Sequence, residues 1–129
     1  MEVFTDREKI LDILTSPEIW DLVRNGADVD PSSFILPRDW LYLTETGNEV
    51  FVLSSSHQIH VNVLPETRHR AYWMSKKFIR WIKDNTELSC IFLKIHERHG
   101  NAIRLGKMCG FKEVNYSNSR YLFEKRLDR

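Results

Sequence analysis

The sequence predicts an α/β (α+β) fold, a mixed sheet in which an antiparallel meander is followed by a strand–helix–strand crossover and a closing hairpin, all in one domain over residues 1–129. Three observations predict it. Apolar residues recur at three- and four-residue steps near the N-terminus and again past the middle of the chain. Between residues 40 and 64 they alternate with a period of two, and turn residues divide them into three short runs. A long amphipathic stretch then separates this meander from Cys90-Ile91-Phe92-Leu93-Lys94-Ile95, as a crossover connection requires.

Thr5-x-x-Glu8 is a capping box, and Ile10, Leu11, Ile13 and Leu14 give the first helix its stripe. Ser16-Pro17-Glu18 restarts the chain as N-cap, first helical residue and first-turn acid. Ile19, Trp20 and Val23 form the inner face of this second helix, and Asn25-Gly26 predicts a left-handed end. Residues 27–38 predict a loop with room for a short extended piece at Phe34–Leu36. Leu41 and Leu43 then alternate with Tyr42 and Thr44, Thr46-Gly47-Asn48 turns the chain, and Val50–Ser54 returns. The third strand, Gln58–Leu64, sets Ile59, Val61 and Val63 on one face and His60 and Asn62 on the other, and Pro65 stops it. Ala71–Ile82 is a helix with Ala71, Met74, Phe78 and Trp81 inward and Lys76, Lys77 and Arg80 outside that stripe. Cys90–Ile95 predicts a strand covered on both faces. Asn101–Cys109 is a second core helix ended by Gly110, and Phe111–Tyr116 pairs with Arg120–Leu127 across Ser117-Asn118-Ser119.

Composition bounds the function. The chain is 42% apolar and 29% charged, enough for one buried core. It holds no run of 18 apolar residues that would cross a membrane, and Met1–Arg7 predicts no secretory leader. Cys90 and Cys109 lie far apart and predict neither a disulfide framework nor a metal site; they read as core residues of a reducing compartment, so a cytoplasmic location is expected. The net charge of +1 conceals a split: residues 1–49 carry four Lys/Arg against eleven Asp/Glu, and residues 50–129 carry fifteen against seven. The basic half is expected to face an anion, and the acidic half to suit a positively charged amine or protein surface. A nucleic-acid binder would rest on that basic half alone, since Trp81 at helical spacing reads as packing and only Tyr72 and Trp73 are left ambiguous. There is no zinc spacing, P-loop or nucleophile elbow, and His96-Glu97-Arg98-His99 has no further ligand neighbours.

The bend Pro65–Ala71 is the candidate ligand site, because Arg68, His69 and Arg70 meet the free N–H groups of a helix N-terminus there, a combination suited to phosphate. Val61-Asn62-Val63-Leu64-Pro65 followed by Arg68-His69-Arg70-Ala71-Tyr72-Trp73 resembles the strand and pyrophosphate loop of the GNAT superfamily of acyl-CoA-dependent N-acyltransferases. His99-Gly100-Asn101-Ala102-Ile103-Arg104-Leu105 and then Gly110-Phe111 resemble its later Asn-x-x-Ala…Gly-Phe signature, and the order of elements is similar over nearly the whole chain. Within the superfamily, His60-Val61-Asn62-Val63-Leu64-Pro65, Trp81-Ile82 and Gly110-Phe111 resemble GNAT-like proteins of short-tailed bacteriophages, which implies the host cytoplasm.

The resemblance implies acetyl-CoA as co-substrate, without a metal, and direct attack by an amine acceptor that is either a small molecule or a protein. Arg68, His69, Arg70 and Ala71 would hold the pyrophosphate, the strand backbone at Val61, Asn62 and Val63 would lie along the acyl end, and Asn101 would meet the pantetheine arm. His60, on that strand and titrating near neutrality, is the candidate base, with His57, Glu97 and His99 in second rank near strand ends. The chain departs from the family pattern where Ala71 and Trp73 replace the loop glycines and Gly106 takes the place of the helix tyrosine that often protonates the leaving thiolate. Two readings follow, an N-acetyltransferase and a GNAT-like binding or virion-associated module without catalysis. A gap between the strands 58–64 and 90–95 with Trp73 outside it fits the first, and a gap filled by Trp73 fits the second.

Overall fold

Two antiparallel sheets meet at a single parallel bridge. The computed structural model describes residues 1–128. The first sheet runs β1 (Glu2–Val3), β2 (Leu41–Thr44), β3 (Glu49–Leu53), β4 (Ile59–Val63) in spatial order, and the second runs β5 (Cys90–His96), β7 (Arg120–Arg126), β6 (Lys112–Ser117). Helices α1 (Arg7–Leu14) and α2 (Pro17–Arg24) precede the meander, α3 (Ala71–Asn85) makes the crossover from β4 to β5, and α4 (Gly100–Met108) follows β5. None of the described helices is long and apolar enough to cross a membrane.

The predicted meander, crossover and hairpin are all present, with local differences. β1 was not expected: two residues are too few to show alternation, yet Glu2 and Val3 pair with Thr44 and Leu43. The first helix is capped by Asp6, whose Oδ1 accepts from the Lys9 N–H at 3.1 Å, and not by Thr5. A carboxylate at that position satisfies an orphan donor and also favours the positive end of the helix dipole. Ser16-Pro17 opens α2 and Asn25 closes it in the left-handed region at φ 48°, ψ 47° as predicted. Residues 31–33 form a 3₁₀ turn capped by Asp30, and no strand forms at Phe34–Leu36. In β5, Ile91 and Ile95 are buried while Lys94 is exposed, so the strand is less covered than its composition suggests.

Two apolar clusters hold the layers. Leu43, Phe51, Phe78, Ile82, Ile91 and Phe123 are among the residues that join both sheets to α3. On the opposite face of the meander, Ile10, Ile13, Leu14 and Ile19 pack against Tyr42, Val50 and Val52. The meander is therefore covered on both sides, which is why Asn62 is as buried as Val63 although the two point to opposite faces.

A carboxylate locks the β2–β3 turn. Glu49 is fully buried. Its Oε1 accepts from the Thr44 hydroxyl at 2.8 Å and from the N–H groups of Glu45 and Thr46 at 2.7 and 2.5 Å, and its Oε2 accepts from the Thr46 hydroxyl at 2.8 Å. Burial pushes this carboxyl up, but the hydrogen bonds outweigh it and hold the group below its usual 4.5. Its stabilising effect is thus complete above pH 4.5 and fades as pH falls through the lowered folded-state value. Glu49→Gln is expected to cost about 1–3 kcal/mol at neutral pH and to flatten the acid limb of stability, measured by urea unfolding across that range. An unchanged acid limb would show that other carboxylates set it.

Candidate functional site

The site lies where β4 and β5 separate. They touch at one parallel bridge, Gln58 to Phe92, in which the Phe92 N–H donates to the His57 carbonyl at 3.0 Å. His57 reaches this position with φ 65°, in the turn before β4. Beyond the bridge no further pairing joins the two strands.

Ladder phase shows which backbone groups this leaves free. The Ser54 N–H donates to Gln58 C=O at 2.8 Å, so Gln58, His60 and Asn62 turn their backbone groups to β3. Val61 and Val63, in the alternate positions, turn theirs away from β3 into the gap. On the other side, Leu127 N–H to Ser89 C=O and Glu97 N–H to Ser119 C=O set the β5–β7 phase, which turns Phe92, Lys94 and His96 toward the gap.

The β5 edge is partly capped from within. The Asn25 side chain donates through Nδ2 to the Lys94 carbonyl at 3.1 Å and accepts at Oδ1 from the His96 N–H at 2.7 Å, as a neighbouring strand would. Its backbone carbonyl accepts from Arg120 Nε at 2.8 Å. Gly26 permits this approach, since a Cβ there would lie 2.3 Å from His96 Cδ2 and φ is +85°. The sequence marks Asn25 only as a helix cap; its contacts with residues 69 and 71 positions later had no local signal.

A cavity of about 310 Å³ occupies the gap and opens to both helix layers. Ser75, Ile79, Ala102, Leu105 and Gly106 line it from α3 and α4; Trp20, Leu22, Val23, Asn25, Phe34 and Trp40 line it from α2 and the following loop. Ser75 supplies the one hydroxyl among the lining residues; it is 3% exposed and its Oγ has no hydrogen-bond partner. A buried hydroxyl without a partner is costly unless a ligand completes it. Cys109 also lines the cavity, and burial pushes its thiol up, so it stays protonated and poorly nucleophilic.

The predicted residues distribute as follows. His60 and Val61 line the cavity from the strand. The His60 ring stacks on Trp40 at 5.8 Å with an 18° interplanar angle, on the α1/α2 face. Burial lowers its pKa to about 4, so it is neutral at physiological pH. Asn62 lines the same face but donates through Nδ2 to the Val50 carbonyl at 3.2 Å. Arg68, His69 and Arg70 are exposed in the 3₁₀ segment Pro65–Arg70 that leads into α3, and Ala71 opens that helix with ordinary helical angles. Arg68 donates to the Glu18 carbonyl at 3.1 Å, tying the bend to α2. Asn101 is exposed in the first turn of α4 and is not a lining residue. Glu97 accepts from the Tyr116 hydroxyl at 2.5 Å, and the His99 Nδ1 lies 4.0 Å from Asp21, both outside the cavity lining. Trp73 is 65% exposed and faces a separate groove with Lys76, Lys77 and Arg80, so the gap is open with Trp73 outside it. A side chain at Gly106 would meet Leu93 Cδ1 at 2.9 Å, and no tyrosine lines the cavity.

The architecture is shared with solved structures over nearly the whole chain. It is similar to a domain from Methanocaldococcus jannaschii DSM 2661, with a TM-score of 0.74 and 15% identity over 98% of this chain and 96% of that one. It is also similar to spermidine N-acetyltransferase from Vibrio cholerae in complex with CoA and spermine (TM-score 0.70, 11% identity, 98% and 94% covered). Ribosomal-protein-S18-alanine N-acetyltransferase from Escherichia coli is a third neighbour (TM-score 0.67, 9% identity, 99% and 93% covered). The chain thus has a GNAT-like fold, the fold of these N-acetyltransferases. No family model matches the chain, and no curated protein matches it.

Replacing Asn25 by Gly keeps the left-handed cap and removes the side-chain amide. Asn25→Gly is expected to cost about 1–3 kcal/mol in denaturant unfolding and to speed hydrogen exchange at the His96 amide. Exchange at His96 no faster than in the parent would refute the capping role.

Proposed function

We propose that this protein is an acyl-CoA-dependent N-acyltransferase that transfers an acetyl group from acetyl-CoA to an amine in the β4–β5 gap. One observation carries the reading: the unpaired edge of β4 at Val61 borders a cavity that opens to both helix layers. A thioester can enter from the α3/α4 side and an amine from the α1/α2 side, so the reacting atoms meet at the strand edge. The fold shared with amine acetyltransferases, one of them solved with CoA, supports the same reaction class.

Each group then has a task. The backbone N–H groups at Val61 and Val63 polarise the acyl carbonyl, and their rigid position in the ladder to β3 means no reorganisation as charge develops. Arg68, His69 and Arg70, exposed on the 3₁₀ segment that leads into α3, meet the pyrophosphate through their side chains, since the Ala71 N–H is already given to the Arg68 carbonyl. The Ser75 hydroxyl hydrogen-bonds the pantetheine arm along the α3 wall, and Asn101 lies at the rim of α4. His60 faces the incoming amine; with a pKa near 4 it accepts a hydrogen bond from the nitrogen and orients its lone pair, and it holds a proton only weakly. The protonated Cys109 leaves direct attack as the route, without an acyl-enzyme. The non-catalytic reading retains one supporting observation, the absence of a phenol at Gly106, since Trp73 does not fill the gap.

Acetyl-CoA is expected to raise the melting temperature and to give a calorimetric binding signal. Arg68→Ala with Arg70→Ala should weaken that binding by about tenfold or more, from the loss of charge-assisted contacts. Ser75→Ala should weaken it several-fold while leaving the melting temperature of the free protein unchanged or raised, because it removes an unpartnered buried hydroxyl. No thermal or calorimetric response at millimolar acetyl-CoA would overturn the proposal.

A further inference from the structure

The acceptor half of the cavity is mostly apolar. Leu14, Trp20, Leu22, Val23, Phe34 and Trp40 line it. Trp20 and Phe34 meet edge to face with centroids 5.4 Å apart, and Trp40 stacks on His60. No Asp or Glu is among the lining residues; the charged ones are Arg24 and Lys94. None of the eleven acids of residues 1–49 lines the cavity, and five of them are engaged elsewhere. Asp21 binds Arg24 and Arg98, Glu45 binds the N-terminal ammonium and Lys77, Glu49 closes the β2–β3 turn, and Asp6 and Asp30 cap helical turns. The expectation that this half offers carboxylates to a cationic acceptor therefore does not carry to the cavity.

A lining of this kind selects by protonation state. An alkylamine, with a pKa near that of lysine at about 10.4, is a cation at neutral pH and must lose its hydration to enter. Here it would find no carboxylate among the lining residues, whose two basic groups are Lys94 and an Arg24 already paired with Asp21. An arylamine is neutral at the same pH because its lone pair is delocalised into the ring, and its ring fits walls built from Trp20, Phe34 and Trp40. Resting on the acyltransfer reading above, we propose that the acceptor is a weakly basic aromatic amine that enters as the neutral free base. The nitrogen lone pair forms the bond to the thioester carbonyl carbon and the carbon–sulfur bond breaks. The nitrogen then gives up one proton and the departing thiolate takes up one, leaving the amide and free CoA thiol. Because the nucleophile arrives unprotonated, the step needs no strong base, in keeping with a His60 that burial leaves neutral and weakly basic.

The test measures acetyl-CoA turnover with an aniline, phenethylamine and spermidine as acceptors, beside calorimetry of CoA binding to the same protein. The aniline is expected to show a kcat/KM at least tenfold above either alkylamine. Phe34→Ala should raise KM for the aniline at least fivefold with little change in kcat, and Phe34→Leu, which keeps the apolar volume, should recover part of it. CoA binding accompanied by preferred turnover of phenethylamine or spermidine, or by no turnover of the aniline, overturns the acceptor assignment and leaves coenzyme binding standing. Absence of CoA binding overturns both.

Discussion

Two strand edges that run side by side without pairing set the terms for the rest of the molecule. After the bridge at Gln58 and Phe92, each residue of β4 and β5 that faces the gap exposes an N–H and a C=O, groups that folded proteins rarely leave unsatisfied. The edges are treated differently. On β5, the Asn25 amide supplies one donor and one acceptor to Lys94 and His96 and so replaces a strand with a single side chain. On β4, Val61 lines the cavity, whereas Val63 turns its backbone groups the same way but is not a lining residue. Placing the gap between two independently hydrogen-bonded sheets keeps it from collapsing: β3 fixes β4, and β7 fixes β5, whatever occupies the space between.

The same constraint explains how the helical layers are used. Residues 1–49 contribute α1, α2 and the loop that cover the outer face of the meander, and several of their acids are structural. Asp21 is one case: burial works against its ionisation, but hydrogen bonding to Arg24 and the Arg98 charge hold it below the ordinary carboxylate range. The Asp21–Arg98 pair joins α2 to the turn after β5, close to the Asn25 contact with that strand. Charge asymmetry along the sequence thus becomes charge pairing across the gap. Two of the acids that make the first half negative, Asp21 and Glu45, clamp its elements to the second through Arg98 and Lys77, and no acid lines the cavity.

How far the sequence discloses this depends on whether the signal is local. Period-two alternation at 41–63, helical spacing at 71–82 and the cap at Asn25-Gly26 come from neighbouring residues, and the corresponding elements lie where expected. β1 was too short to show a pattern, and the capping box expected at Thr5 gives way to Asp6, whose side chain meets the Lys9 N–H. At the site, His60 and Val61 were legible because a strand fixes alternation. Ser75 was not; a single hydroxyl in the inner stripe of α3 carries no sign that it will lack a partner. Trp20, Phe34 and Trp40 are each ordinary packing residues in sequence, and their convergence on one cavity is a tertiary fact.

The departures from the GNAT pattern follow from these positions. A glycine is needed where φ is positive or where a side chain would obstruct, and Ala71 sits at φ −57°, ψ −40°, an ordinary helical conformation. Trp73 turns outward, where Lys76 Nζ lies 5.8 Å from its ring, so its bulk does not narrow the cleft. Gly106 differs in kind: it is buried in α4, where a Cβ would meet the tip of Leu93 at 2.9 Å, and it brings no phenol to protonate a thiolate. With no strong base at His60 and no tyrosine acid on α4, the proposed acyl transfer would draw its rate from preorganised backbone amides and proximity, and from the protonation state in which the nucleophile arrives. A neutral acceptor relieves the first deficiency outright. The second is met, as for any amine, by the proton that the nitrogen sheds after attack, which the departing sulfur takes up.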